Sequence, residues 1–404
     1  MDPASQLRYD TAREDWLAAA TRARNEKQKA KEAYNEENEI GLTGDKTFEQ
    51  WVATNSPAFS VSYQDFQARA AAYQQIAKHS NPDEWSKWEE EYSRQYRDAY
   101  WGDGEDKAIP YLFSRPFTVE YLPIWPGRSS RALIHKASGA GRGRRLRPLH
   151  VDIHSGAFIG GIPESLARFD DRVAKETGAV VVSITYRCAP EHVFPAAIDD
   201  VDATIKWLQE NAEARLGADP TLMTVGGFSA GGNLAVAATQ QKTCHSPSPT
   251  AIKASVTFYA SIDLRLGPHD KPRPASFPAR DPAALLFPLF DSYAAPARAK
   301  HFDDPRLSPI LAKTETLPKR MLLVVPGIDI LVAEQTAFAE RVNAEDEQDG
   351  LTPRVEVFYQ EKGFHGYLEL PDAVSNKELK GKAFDRGVDV LRETYSSHGW
   401  SWER

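Results

Sequence analysis

An α/β fold, a mostly parallel sheet with helices on both faces, is what this 404-residue sequence predicts, and three observations carry the prediction. From about residue 116 onward, short runs rich in Val, Ile and Leu alternate with helix-compatible stretches. Continuous apolar strands separated by helices belong to sheets covered on both sides. The pentapeptide Gly227-Phe228-Ser229-Ala230-Gly231 sits between one such strand, LMTVG, and an Ala-rich helix, the setting of a strand–turn–helix elbow. Hydrophobic residues make up 41% of the chain and charged ones 26%, which is enough apolar material for a sizeable core.

Residues 1–110 read as a helical N-terminal extension, expected to act as a cap. Ser62 can cap a helix with Asp65 three residues on, and Tyr63, Phe66, Ala70, Tyr73, Ile76 and Ala77 keep the 3.6-residue period. Asn81-Pro82-Asp83-Glu84 is a second start, with a cap, Pro at the first helical position and acids facing the dipole. Trp85, Trp88, Tyr92 and Tyr96 then form an aromatic stripe, expected to pack on the main domain or to roof a pocket. This segment holds 14 basic and 21 acidic side chains, so it carries nearly all of the net charge of −8.

The core is expected over 111–404. Its strands are FTVEYLPIW, RALIHKA and PLHVDIH, of which the first two or three can be antiparallel, then AVVVSITY, LMTVGG, IKASVTFYAS, RMLLVVPG and RVEVFYQ. Helices fall near 162–177, over 198–214, from 230, over 331–347 and over 373–395. Two stretches interrupt this rhythm. Residues 136–147, KASGAGRGRRLR, do not lead into a helix, so they read as a solvated turn and not as a dinucleotide loop. Residues 267–300 carry seven prolines around Ala-Leu-Leu-Phe-Pro-Leu-Phe at 284–290 and read as a lid insertion.

Net negative charge gives no attraction for nucleic acid or an anionic membrane surface. Two cysteines, Cys188 and Cys244, make no disulfide framework, and no Cys/His cluster has zinc-ligand spacing, so no metal site is expected. The amino terminus lacks an apolar signal region and no run of about 18 apolar residues occurs, which excludes a membrane span and makes a cytoplasmic, reducing location the expectation.

The elbow demands small residues where strand and helix approach, which Gly227 and Gly231 supply, and it lifts the Ser229 hydroxyl off the sheet. A serine becomes a nucleophile only when a base takes its proton. Of ten histidines, His365 in Gly363-Phe364-His365-Gly366-Tyr367 follows the last strand between glycines and suits that role. The acid that orients it should end a strand between the two. Asp329 after MLLVVPGI fits, and Asp263 after the preceding strand competes with it. Oxyanion donors are expected from the Ala230 amide and from Gly156 and Ala157 in the loop His154-Ser155-Gly156-Ala157-Phe158. His154 reads as a histidine that pins this loop. Phe158, Phe228, Phe287 and Phe290 are candidates for the wall of a substrate pocket.

Five motifs in this order, HSGAF, Tyr186-Arg187-Cys188-Ala189-Pro190-Glu191-His192-Val193-Phe194-Pro195-Ala196-Ala197, GGFSAGGN, Gly327-Ile328-Asp329-Ile330-Leu331 and GFHGY, give the chain a resemblance from about 116 to 395 to hormone-sensitive-lipase-like α/β-hydrolases. The resemblance implies the α/β-hydrolase fold with a cap. It also implies carboxylesterase chemistry with Ser229, Asp329 and His365 at the triad positions and Gly156, Ala157 and Ala230 at the oxyanion donors. The sequence departs from the pattern in four places. His-Ser-Gly-Ala stands for the family's His-Gly-Gly-Gly, Phe228 stands where an acid is common, Ala333 stands where an Asp often follows, and the N-terminal segment is longer than usual.

The expectation is therefore a cofactor-independent serine hydrolase acting on a small or medium, largely uncharged ester through an acyl-enzyme. Acyl transfer, lactone opening or amide hydrolysis by the same triad is the nearest alternative, and a ligand-binding receptor on the same fold is the alternative from another class.

Overall fold

The computed structural model describes residues 117–402 apart from 140, 143–145, 279–286 and 371–374, together with scattered helical positions between 11 and 33. The chain divides into two units, 1–112 and 113–404. In the first, the starts expected at Ser62 and Asn81 and the aromatic stripe through Tyr96 lie outside the described residues. The described positions there include buried Ala19 and Ala30.

The second unit runs β1 (Phe117–Trp125), β2 (Arg128–Lys136), β3 (Gly141–Arg142), β4 (Arg147–Ile153), α1 (Ala167–Thr177), β5 (Val180–Ile184), α2 (Ala196–Leu216) and β6 (Ala218–Phe228). It continues with α3 (Ala230–Ala238), β7 (Ala254–Phe258), β8 (Arg320–Ile328), α4 (Val332–Gln348), β9 (Val355–Phe364), α5 (Lys377–Ser397) and β10 (Ser401–Trp402). Eight strands form one sheet in the order β1-β2-β5-β4-β6-β7-β8-β9. Within this sheet only the pairings of β1 with β2 and of β2 with β5 are antiparallel; from β5 to β9 every neighbour is parallel. This is the α/β-hydrolase fold.

Strand composition sets the layers. All five residues of β5 and all five of β7 are buried, as a strand covered on both faces requires. Val151, Ile153 and Val225 pack with Val201, Ile205 and Leu234 of α2 and α3. On the opposite face Val256, Phe258, Leu322 and Val324 meet Phe169 and Val173 of α1 and Val388 and Leu391 of α5. Leu323 and Val325 of β8 lie against Phe338 and Val342 of α4. Both α1 and α2 stop at a glycine in the left-handed conformation, Gly178 and Gly217.

The winding positions the site. From β4 the chain steps outward to β5, and after α2 it returns to lay β6 on the other side of β4. Loops leaving the carboxyl ends of β4 and β6 part at this reversal, and a crevice opens there in sheets of this kind. The register then aligns the strand ends: Ile153 pairs with Gly227, Phe228 with Phe258, Phe258 with Val324 and Ile328 with Phe364. The segments beginning at His154, Ser229, Tyr259, Asp329 and His365 therefore all leave one edge of the sheet.

Two sequence expectations are corrected. The 136–147 stretch is not only a turn, because Gly141 and Arg142 pair with Trp402 and Ser401. The Trp402 indole lies against Gly139 and Gly178 and under the Arg147 guanidinium. A two-residue bridge has no periodicity to read. The last helix begins at Lys377, capped by the Asn376 side chain, which accepts from the Leu379 amide at 3.0 Å. Of the insertion at 267–300, the flanks are turns with one helical turn at Phe287–Phe290, and 279–286 lie outside the described residues. Among the described residues, no helix is long and apolar enough to cross a membrane, and no group of three His, Cys, Asp or Glu is set to hold a metal.

Candidate active site

Ser229 occupies the turn between β6 and α3 with φ 52° and ψ −115°, a conformation that an L-residue holds only when its surroundings impose it. Here the Ser229 amide donates to the Phe258 carbonyl at 2.9 Å, and its carbonyl accepts from the Asn233 amide at 3.1 Å. Gly231 makes the turn possible: a Cβ at that position would stand 1.9 Å from the Ile153 carbonyl oxygen.

The Ser229 hydroxyl donates to His365 Nε2 at 2.8 Å, and His365 Nδ1–H donates to Asp329 Oδ2 at 2.8 Å. The other Asp329 oxygen accepts from the Leu331 amide at 3.0 Å, so the carboxylate is held from both sides. Asp329 is buried, whereas 42% of the His365 side chain is exposed, which leaves the imidazole open to an incoming molecule. Burial disfavours the charged ring, but the charge and hydrogen bond of Asp329, with Glu369 and Glu334 farther off, outweigh it and raise the His365 pKa above the ordinary histidine value. Asp263 does not join this arrangement. Its carboxylate is engaged by Arg265, with Nε at 2.9 Å and Nη2 at 2.7 Å.

The loop after β4 turns through three successive residues of positive φ, Gly156 at 113°, Ala157 at 52° and Phe158 at 61°. The Gly156 carbonyl points back into the turn, where it accepts from the Ile159 amide at 2.9 Å. Among the described residues the Gly156 and Ala157 amides have no acceptor. The Ala230 amide opens a helix and has no partner within it. Both backbone strain and packing restrict Gly156, since a Cβ there would lie 2.3 Å from Gly160 O.

His154 is buried, bonded through Nδ1 to Ser155 O at 2.6 Å and stacked on Tyr186 with ring centroids 4.3 Å apart. The Tyr186 hydroxyl donates to His154 O at 3.1 Å, and the Ala189 amide donates to Phe158 O at 2.7 Å. The Tyr186–Ala197 segment thus braces this loop. Arg187 anchors the segment in turn through Nε to Asp200 at 3.0 Å.

The four pocket candidates are not brought together. Phe158 is buried and stacks on Tyr293 of the insertion, centroids 4.2 Å apart. Phe228 is fully enclosed in the core, stacked on Phe258 at 4.2 Å and edge-on to Phe169. Phe287 is buried beside His269, and only Phe290 keeps partial exposure.

Sequence reasoning missed Glu369 and Tyr259. Glu369 accepts a short hydrogen bond from the Ser155 hydroxyl and another at 3.2 Å from Tyr259, whose ring centroid is 5.0 Å from that of His365. The one available signal was Ser155 itself, a hydroxyl where the related pattern has glycine.

A family profile described as alpha/beta hydrolase fold matches residues 150–369. The carboxylic ester hydrolase LipN of Mycobacterium tuberculosis is 29% identical over 265 residues, which cover 61% of this chain and 62% of that protein. The carboxylesterase NlhH of the same species is 44% identical over 96 residues, 23% of this chain and 29% of that one. The chain thus spans less than two thirds of the length of either relative. Among solved structures, an esterase of Pyrobaculum calidifontis superposes with a TM-score of 0.56 at 26% identity, covering 70% of this chain and 89% of that one.

Proposed function

Because this chain belongs to the hormone-sensitive-lipase-like α/β-hydrolase family, we propose that it is a serine carboxylesterase that cleaves small or medium, largely uncharged esters through an acyl-enzyme. The observation that carries the proposal is the continuous relay from Ser229 through His365 to buried Asp329 on a strained elbow.

Ser229 Oγ attacks the ester carbonyl carbon while His365 Nε2 takes the hydroxyl proton. Asp329 keeps the proton on Nδ1, so that Nε2 is the basic nitrogen, and stabilises the imidazolium that forms. The carbonyl oxygen becomes an oxyanion that the Gly156, Ala157 and Ala230 amides receive. His365 then returns the proton to the alkoxide as the C–O bond breaks, and the alcohol leaves an acyl-Ser229. Water, deprotonated by the same imidazole, repeats the sequence and releases the acid.

The cap role of residues 1–110 and the lid role of 267–300 belong to this proposal, with substrate choice assigned to both. Two free cysteines suit a reducing, cytoplasmic compartment. The test is intact-mass measurement after incubation with a fluorophosphonate, beside turnover of p-nitrophenyl esters of increasing chain length. Wild type should gain one phosphonyl group, and Ser229→Ala should gain none and lose at least ~10⁴-fold in kcat. A folded Ser229→Ala protein with undiminished turnover would sink the assignment.

A further inference from the structure

Ser155 is one of two positions, with Ala157, where this chain leaves the glycine-only oxyanion loop of the related pattern, and the structure gives its hydroxyl a partner. That partner, Glu369, is four residues past His365 on the loop that carries the imidazole. The second Glu369 oxygen takes the hydroxyl of Tyr259, the residue after β7. Tyr259 is fully buried, has φ 41° and is itself held by its amide on Val324 O at 2.9 Å, so it offers a rigid donor. One carboxylate therefore joins three of the segments that leave the sheet edge: the loop after β4, the loop after β7 and the loop after β9.

We propose that Glu369 is a positioning residue: by accepting from Ser155 and Tyr259 it ties the loop of the Gly156 and Ala157 amides to the loop of His365. The inference rests on the triad reading above and deepens it. The tie matters because both partners of the reaction ride on loops. An oxyanion donor acts only when it sits within hydrogen-bond distance of where the oxyanion forms, and a displacement of an ångström costs about 100-fold. The loop after β4 is braced on its other side by Tyr186 and Ala189, but those contacts do not reach the histidine.

Charge adds a second consequence. The groups facing His365 are Asp329, Glu369 and, farther off, Glu334, all acidic, with the Tyr259 ring beside it. Those facing Glu369 are the Ser155 and Tyr259 hydroxyls, His365, the buried Asp152 at the end of β4 and the buried Tyr186 hydroxyl. Burial raises the Glu369 pKa above the ordinary carboxylate value, against the two hydroxyl donors and the nearby imidazole, which favour the anion. An anionic Glu369 supports the protonated imidazole, so its removal lowers the pH below which the His365 base is lost.

The experiment uses the full chain and the variants Glu369→Gln, Glu369→Ala, Ser155→Ala and the Ser155→Ala/Glu369→Ala pair. Kinetics on p-nitrophenyl butyrate are followed between about pH 5 and pH 9, with fluorophosphonate labelling of Ser229 alongside. Glu369→Ala should lower kcat about 10- to 100-fold with KM within about twofold, because the oxyanion contact is made in the transition state. Both Glu369 variants should move the acid limb of kcat/KM to lower pH. Glu369→Gln, which retains one acceptor, should recover part of kcat, and the double variant should be no worse than the worse single variant. Melting temperatures identify any variant that fails to fold, and Glu369→Gln, the near-isosteric change, then decides. Wild-type kcat and an unmoved acid limb in Glu369→Gln and Glu369→Ala, with Ser229 still labelled, overturn the positioning role alone. A wild-type Ser229 that does not label overturns the hydrolase reading and this inference with it.

Discussion

Asp329 Oδ2 lies 2.8 Å from His365 Nδ1, although both Asp329 and Asp263 follow parallel strands on the same side of the elbow. What separates the two acids is their partners. Asp263 is saturated by Arg265 and gives its backbone carbonyl to Lys271 Nζ at 2.7 Å, while Asp329 has one oxygen free for the imidazole.

The first prediction follows from that contrast. Asp329→Asn should lower kcat by about 10⁴-fold, since an amide that donates to Nδ1 stabilises the wrong tautomer. Asp329 raises the His365 pKa, so in the variant the acid limb of any residual activity should move to lower pH. Asp263→Asn should leave kcat within about threefold and lower the melting temperature through the lost Arg265 pair. Steady-state kinetics and thermal melts on both variants decide, and comparable kcat losses would return the choice of acid to question.

A second prediction concerns Asp152, completely buried in β4. Burial first, and then the neighbouring Glu369, push its carboxyl up to about 8. A pKa raised in the folded state means that the folded chain holds a proton the unfolded chain releases. The stability from this group is present in full below the unfolded value near 3.8 and is lost progressively as the pH rises to about 8. Asp152→Asn mimics the neutral acid at every pH. The melting-temperature gap between variant and wild type should therefore grow in the variant's favour from about pH 4 to about pH 8 and level off above. A gap that is flat with pH would refute the raised pKa.

The sequence made the elbow legible because the constraint there is local: a sharp turn needs glycines at fixed offsets, and Gly227 and Gly231 stand at them. The parallel core was equally legible, since runs such as those in β5 and β7 admit few other environments. The choice between Asp329 and Asp263 was less so, because each follows a strand and what separates them is geometry: Asp329 meets His365, 36 residues away, whereas Asp263 folds back on Arg265 two residues on. Glu369 was hidden for the same reason, as it meets Ser155 across 214 residues. Phe228, one of the aromatic pocket candidates, misled for a different reason. Phe228 closes a strand whose alternate residues face α1 and α5, and aromaticity alone does not separate that core from a pocket wall.

Burial divides Phe287 and Phe290, the two pocket candidates of the insertion, which gives a third prediction. Phe287 is 2% exposed, edge-on to His269, so Phe287→Ala should cost roughly 3 kcal/mol and leave the order of preference among acyl chain lengths intact. Phe290, half-buried and 6.5 Å from Phe287 by ring centroid, has less to lose, and Phe290→Ala should shift that preference with little change in melting temperature. Ester-panel rates beside thermal melts test the division. A preference shift in Phe287→Ala without a stability loss would contradict it.

The last prediction addresses the oxyanion loop through two glycines of positive φ. Gly156 and Gly350 have φ of 113° and 69°, so each substitution by alanine introduces backbone strain of about 1–2 kcal/mol. They differ in surroundings. Around Gly350 nothing lies within 4 Å of an added Cβ, whereas at Gly156 that atom would meet Gly160 O at 2.3 Å and force the turn open. Opening it swings the Gly156 and Ala157 amides away from the Ser229 hydroxyl while leaving the relay from Ser229 to Asp329 untouched. Gly156→Ala should therefore lose about 100-fold in kcat with KM nearly unchanged. Gly350→Ala, with the strain but no clash, should lose less stability and keep wild-type kcat. Because both variants carry strain, the kinetic difference isolates the geometry of the loop. Equal kcat in the two variants would mean that the oxyanion is received elsewhere.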